Sequence, residues 1–141
     1  MRVALADDAV VLRQGLAREL AEAGIDVQAQ VGTADELLEA VDEHRPDVAV
    51  VDIRMPPTWT QEGIAVAEEI RRRFVGVGVL VLSQYVEPAY VLRLLEGDEG
   101  GRCGYLLKDR VMHADELLKA LERVAAGEVV VDHELIVSVL A

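Results

Sequence analysis

The sequence predicts an α/β domain built on a parallel sheet, on three observations. Short apolar runs of strand length alternate with segments striped at helical spacing, and the alternation occurs five times. Three of the runs, at residues 3–6, 48–51 and 77–82, are unbroken, as in strands buried on both faces. Each of the three stops at a polar residue, and an open parallel sheet keeps its ligand crevice at the strands' C-terminal ends.

Val3-Ala4-Leu5-Ala6 forms the first strand and delivers Asp7 and Asp8 to its end. Leu12, Leu16, Leu20 and Ala23 stripe a helix that Gly24 closes. From Ile25 to Val31, apolar residues alternate with Asp26, Gln28 and Gln30, the period of a half-exposed edge strand. Thr33-Ala34-Asp35-Glu36 has the spacing of a capping box, and Leu37, Leu38 and Val41 continue that helix. Val48 to Val51 is the central strand, and it ends in Asp52. Pro56 and Pro57 then prevent its continuation. After a polar loop from Met55 to Glu62, the residues Gly63, Val66, Ala67, Ile70 and Phe74 mark a third helix. Val77 to Leu82 is a strand ending at Ser83. Tyr90, Val91, Leu94 and Leu95 then stripe a helix that tolerates Pro88 in its first turn. The Gly-rich loop Gly97 to Gly104 leads to a brief strand, Tyr105-Leu106-Leu107, ending at Lys108. Leu117, Leu118, Leu121 and Val124 stripe the fifth helix, which stops near Gly127.

The alternating second run and the short fifth run belong at the edges. With right-handed crossovers, the expectation is a doubly wound, flavodoxin-like five-stranded parallel sheet of order 2-1-3-4-5 with helices on both faces. Its switch point, between the first and third strands, is bounded by Asp7, Asp8 and Asp52. The domain is expected to span 1–127. Residues 128–141, rich in Val, Leu and Ile, are expected to be a linker or the start of a helix leading towards a further domain. The alternative is a short helix packed back on the first domain.

A chain of 141 residues, 52% hydrophobic, suffices for one domain with a real core, and 4% aromatics make that core aliphatic. A net charge of -12 argues against this chain gripping nucleic acid unaided, since phosphate neutralisation needs a basic face. The single cysteine, Cys103, fits a reducing compartment. Only four apolar residues follow Arg2 before the acids, too few for a secretory signal, and no apolar run approaches the ~20 residues of a membrane span. The expectation is a soluble cytoplasmic protein with no membrane partner.

Asp7, Asp8, Asp52, Ser83 and Lys108 thus share the ends of neighbouring strands. Crowded carboxylates repel and raise one another's pKa, and a hard divalent cation such as Mg2+ removes the conflict. One carboxylate can then attack phosphorus, while Lys108 and the cation supply positive charge and Ser83 a hydrogen bond.

Taken together, Ala6-Asp7-Asp8, Asp52 followed by Arg54-Met55-Pro56, Ser83, and Gly104-Tyr105-Leu106-Leu107-Lys108 resemble the receiver domain of a two-component response regulator, to about Gly127. Leu82-Ser83-Gln84-Tyr85, Tyr105 to Asp109 and Arg123 to Gly127 look like the NarL/LuxR subclass, whose output is a helix-turn-helix DNA-binding domain. The resemblance implies that Asp52 accepts a phosphoryl group from a phosphohistidine on a sensor histidine kinase. It makes Asp8 a direct Mg2+ ligand, Asp7 a ligand mainly through water, and the Arg54 backbone carbonyl a further ligand. Ser83 is then the switch hydroxyl, Lys108 its charged companion and Tyr105 the switch aromatic. An edge-strand tyrosine with a wet hydroxyl is the plain alternative for Tyr105. The resemblance also implies a homodimer on phosphorylation, DNA contact only through an absent C-terminal domain, and no catalysis beyond self-phosphorylation and slow autodephosphorylation.

The sequence departs from that pattern in places. The loops Met55 to Gly63 and Gly97 to Arg102 are long, and Asp109 follows Lys108 where a proline is common. A cis bond there would cost about 3 kcal/mol without proline, so a trans bond is expected. Gln84 is bulky and is expected to impede the water that attacks the phosphoryl group. A phosphatase of the haloacid-dehalogenase type would carry its nucleophile on the first strand, with a second acid two residues on. A nucleotide site would need glycines where Asp7-Asp8-Ala9 stands. His44, His113 and His133 lack metal-ligand spacing, Arg71 to Arg73 suit a helix C-terminus, and Trp59 reads as a partly exposed packing residue able to report on Mg2+.

Overall fold

The computed structural model describes residues 1–85, 87–96, 101–111 and 114–140. Part of the Gly97 to Gly104 loop and His113 lie outside the described residues. In chain order the strands are β1 (Arg2–Ala6), β2 (Asp26–Val31), β3 (Val48–Asp52), β4 (Gly78–Ser83), β5 (Cys103–Leu107) and β6 (Val129–Val131). The helices are α1 (Val10–Glu22), α2 (Ala34–His44), α3 (Glu62–Arg73), α4 (Pro88–Glu96), α5 (Lys108–Val111), α6 (Ala114–Ala125) and α7 (His133–Leu140). All strand pairs are parallel, in the order β2-β1-β3-β4-β5-β6.

The side-chain period of two divides the core. Ala4, Ala49, Val51, Val79, Val81 and Tyr105 face a layer holding Leu37 of α2, Ile70 of α3, Leu94 of α4 and Leu135 of α7. Val3, Leu5, Val48, Val50, Leu80 and Leu106 face Leu16 and Leu20 of α1 and Leu117 and Leu121 of α6. With both faces covered, β3 and β4 are buried along their whole length, as their unbroken apolar runs require. β2 is only partly buried and stands at one edge, as its alternation predicts. α2 begins with one half of the expected capping box, the Thr33 hydroxyl accepting from the Glu36 amide; the Glu36 carboxylate reaches back to the Thr33 hydroxyl and the Gly32 amide.

Two expectations are corrected. The sheet has six strands, not five, and β5 is interior, because Val129–Val131 pairs alongside Cys103–Tyr105. Gly104 suggested a loop, but the glycine belongs to the strand: a Cβ there would lie 2.7 Å from Leu80 Cδ1 and 3.1 Å from the Val130 carbonyl. Residues 128–140 follow the alternative reading, a short helix packed back on the domain. Asp132 caps α7 by accepting from the Glu134 amide at 3.2 Å, and Leu135 is wholly buried in the core layer shared with α4. Apolar residues that seemed surplus to a five-stranded sheet extend it by one strand and one helix. A helical turn, α5, also precedes the expected fifth helix, which is α6.

Candidate functional site

Asp7 lies immediately after β1 and is buried. Its amide donates to the Val31 carbonyl at 3.0 Å, and its own carbonyl accepts from the Arg13 guanidinium at 2.9 Å. Its Oδ1 accepts from the Ala9 amide at 2.9 Å, which fixes the carboxylate as well as the backbone. Asp52, the last residue of β3, is 6% exposed. α3 starts hard against it: the Gly63 amide donates to the Ile53 carbonyl at 2.7 Å, and a Cβ on Gly63 would lie 2.0 Å from the Asp52 carbonyl oxygen. Only glycine permits so close an approach.

Lys108 enters from the end of β5. Its Nζ lies 3.3 Å from Asp7 Oδ2 and 3.2 Å from Asp52 Oδ1. Asp8 completes the acidic side, and the three aspartates each offer a carboxylate oxygen within 4.8 Å of the others. Among the described residues this is the one cluster of acids, histidines or cysteines able to hold a metal ion. His44 and His133 belong to no such group, and Arg71, Arg72 and Arg73 occupy the last turn of α3.

The electrostatics follow from this crowding. Burial, and then the neighbouring Asp7 charge, push Asp52 up to about 6, although Lys108 pulls the other way. Burial disfavours the Lys108 ammonium, but the Asp52 and Asp7 carboxylates outweigh it and hold its pKa above the ordinary value. The arrangement therefore keeps a permanent cation beside a carboxylate that is strained in its charged form.

Ser83, the last residue of β4, bonds to the backbone of Tyr85. Its hydroxyl donates to the Tyr85 carbonyl at 2.7 Å and accepts from the Tyr85 amide at 3.2 Å. Tyr105 is wholly buried on β5, so its hydroxyl is not wet; the oxygen makes no hydrogen bond. Burial pushes its phenol up to about 12. Arg54, on the loop leaving Asp52, sends its guanidinium to Glu87 at 2.7 Å and over the Tyr85 ring at 4.6 Å. Pro56–Pro57 is the one cis peptide bond among the described residues, so the Lys108–Asp109 bond is trans.

Four contributors to the site were not legible in the residues as roles. Arg13 pins the Asp7 carbonyl, and Glu87 and Tyr85 receive Arg54. Trp59 donates its indole N–H to Asp8 Oδ2 at 2.6 Å. Nothing in the spacing of Arg13, Glu87 or Tyr85 marks them. Trp59 had a signal, being the single tryptophan of the chain and lying in the loop beside Asp52.

The family model for the response regulator receiver domain matches residues 3–122. The chain belongs to that family. The receiver is 31% identical, over 141 residues, to the oxygen regulatory protein NreC of Staphylococcus haemolyticus, matching 99% of this chain and 62% of that protein. It is 34% identical, over 137 residues, to the transcriptional regulatory protein NarL of Mycobacterium tuberculosis, matching 96% of this chain and 60% of the relative. The solved receiver domain of the mycobacterial NarL superposes with a TM-score of 0.77 at 34% identity, covering 90% of this chain and 97% of that one. The chain thus spans about three fifths of the length of NreC and NarL. Among the described residues no helix is long and apolar enough to cross a membrane.

Proposed function

We propose that this receiver accepts a phosphoryl group on Asp52 from a phosphohistidine of a sensor histidine kinase, and that the modification changes its association so as to control a transcriptional output domain. The observation that carries the reading is the Lys108 ammonium held 3.3 Å from Asp7 and 3.2 Å from Asp52, with Asp8 beside them. An Asp52 oxygen supplies the electron pair for the new O–P bond, and the P–N bond breaks with its pair returning to the donor imidazole. Lys108 stays protonated throughout and faces the transferred oxygens.

The donor set suits Mg2+. Three carboxylates converge, and Asp7 Oδ2 is buried with no hydrogen bond beyond its ion pair with Lys108. Asp7, Asp8, Asp52 and the Arg54 backbone carbonyl would hold it. When bound, the ion supplies the positive charge that relieves the acids and neutralises the phosphoryl oxygens. Ser83 then gives up the Tyr85 carbonyl for a phosphoryl oxygen, and Tyr105 repacks beneath it, biasing an existing equilibrium between two arrangements.

The chemistry is stoichiometric, with slow autodephosphorylation rather than turnover. Gln84, exposed beside Ser83, hinders the hydrolytic water, so Gln84→Ala should lose its phosphate faster. The protein works in the cytoplasm, dimerises on phosphorylation and reaches DNA only through a helix-turn-helix domain outside this chain. Incubation with Mg2+ and acetyl phosphate, followed by intact-mass and sedimentation measurements, tests the reading. One base-labile phosphoryl group, abolished in Asp52→Ala, is expected. Steady release of phosphate over many turnovers, or no incorporation at all, overturns it.

A further inference from the structure

Trp59 is 52% exposed, so burial does not hold it, and its backbone sits at φ +52°, a region bulky residues rarely adopt. What it does there is donate its indole N–H to Asp8 Oδ2 at 2.6 Å, joining two loops 51 positions apart in sequence. Asp8 is also the acid that Lys108 does not reach: the ammonium is shared between Asp7 and Asp52, and among the described residues no cation pairs with Asp8. We infer that Trp59 positions the Asp8 carboxylate for the divalent cation and thereby sets the metal affinity of the receiver.

An indole N–H is a donor with no acceptor capacity and no net charge. It can orient one carboxylate oxygen without cancelling the charge that draws a cation, and it leaves the second oxygen to ligate. Carboxylates that bind metals are held in this way by outer hydrogen bonds. The loop carrying Trp59 is anchored by other groups. The Thr58 and Thr60 amides donate to the Glu62 carboxylate at 2.8 and 3.1 Å, and the Trp59 amide donates to the Met55 carbonyl at 2.9 Å. Trp59→Phe therefore removes the hydrogen bond and leaves its support in place.

The inference rests on the proposed metal site, and calorimetric Mg2+ titration of the unphosphorylated protein separates the two. The wild type should bind, and Trp59→Phe should bind about tenfold more weakly with an unchanged melting temperature in chelator. Because the chain has one tryptophan, its nitrogen-15 spectrum holds one indole N–H resonance. In chelator that resonance should move upfield in Asp8→Asn, and in the wild type it should titrate with Mg2+ at the calorimetric affinity. Equal or tighter binding by Trp59→Phe overturns the positioning role while leaving the metal site standing. An indole resonance indifferent to Asp8→Asn also overturns it. A wild type that takes up no Mg2+ overturns both.

Discussion

Two loops rise side by side over the crevice, residues 55–61 after β3 and Gln84, Tyr85 and Glu87 after β4, and they are held by opposite means. The first is secured largely within itself. Thr58 and Thr60 bond to Glu62, whose carboxyl is brought down to about 2, chiefly by the Thr58 hydroxyl. Its long-range side-chain ties are Trp59, which donates to Asp8, and Gln61, whose side-chain oxygen accepts from the Arg93 guanidinium at 2.7 Å. The second is secured by groups from outside it: the Ser83 hydroxyl, which the proposed switch needs elsewhere, is spent on Tyr85, and the Arg54 guanidinium is spent on Glu87 and the Tyr85 ring. A self-contained loop can hold a ligand in register, whereas a loop tied through borrowed groups yields when those groups are recruited.

The comparison breaks most severely at Gly63, where both the first loop and β3 converge. Gly63→Ala drives a methyl to 2.0 Å from the Asp52 carbonyl oxygen, a backbone atom that cannot swing aside, and should cost about 3 kcal/mol in urea unfolding. Phosphoryl acceptance should fall with it.

The acid between the loops gives the next largest effect. The pKa of Asp52 is raised from 3.8 to about 6 in the folded protein, so between those values the native state holds a proton that the unfolded chain has released. In chelator, stability should therefore decline as the pH rises from about 4 through 6, by roughly 2 to 3 kcal/mol from this group. Asp52→Asn should flatten that decline and melt higher than the wild type at neutral pH. Saturating Mg2+ should do the same to the wild type.

Ser83→Ala separates the loops. It removes both bonds to Tyr85 and should cost about 1 kcal/mol, with faster hydrogen exchange at the Tyr85 amide. The amides of Thr58 and Thr60, bonded to Glu62, should be unaffected. Smallest of all is Glu87→Gln. The Arg54–Glu87 pair has side chains 47% and 19% exposed, so its loss should change stability by well under 1 kcal/mol. It should nevertheless speed exchange at Tyr85, because Arg54 no longer braces that ring.

The alternation of apolar runs and helical stripes, the burial of β3 and β4, the edge position of β2 and the placing of Asp7, Asp8, Asp52, Ser83 and Lys108 at strand ends were all legible in the residues. Each is a local matter: periodicity reports burial, and in a parallel sheet the residue that ends an apolar run stands at the crevice. The sixth strand was not legible, because a three-residue run such as Val129–Val131 becomes a strand only when β5 offers it an unpaired edge. The Gly104 signal was ambiguous for the same reason, since a glycine marks a loop or a close approach according to neighbours that sequence does not name.

The residues alone determined which groups could do chemistry here and on which end of the sheet they lie. Tertiary structure alone decided which of them meet: that Lys108 divides its charge between Asp7 and Asp52, that Asp8 is left to Trp59, and that Ser83 rests on Tyr85. The division has a physical cause. Strand ends are set by interactions a few residues long, whereas the partner of a charge depends on how far a side chain reaches across elements brought together only by folding.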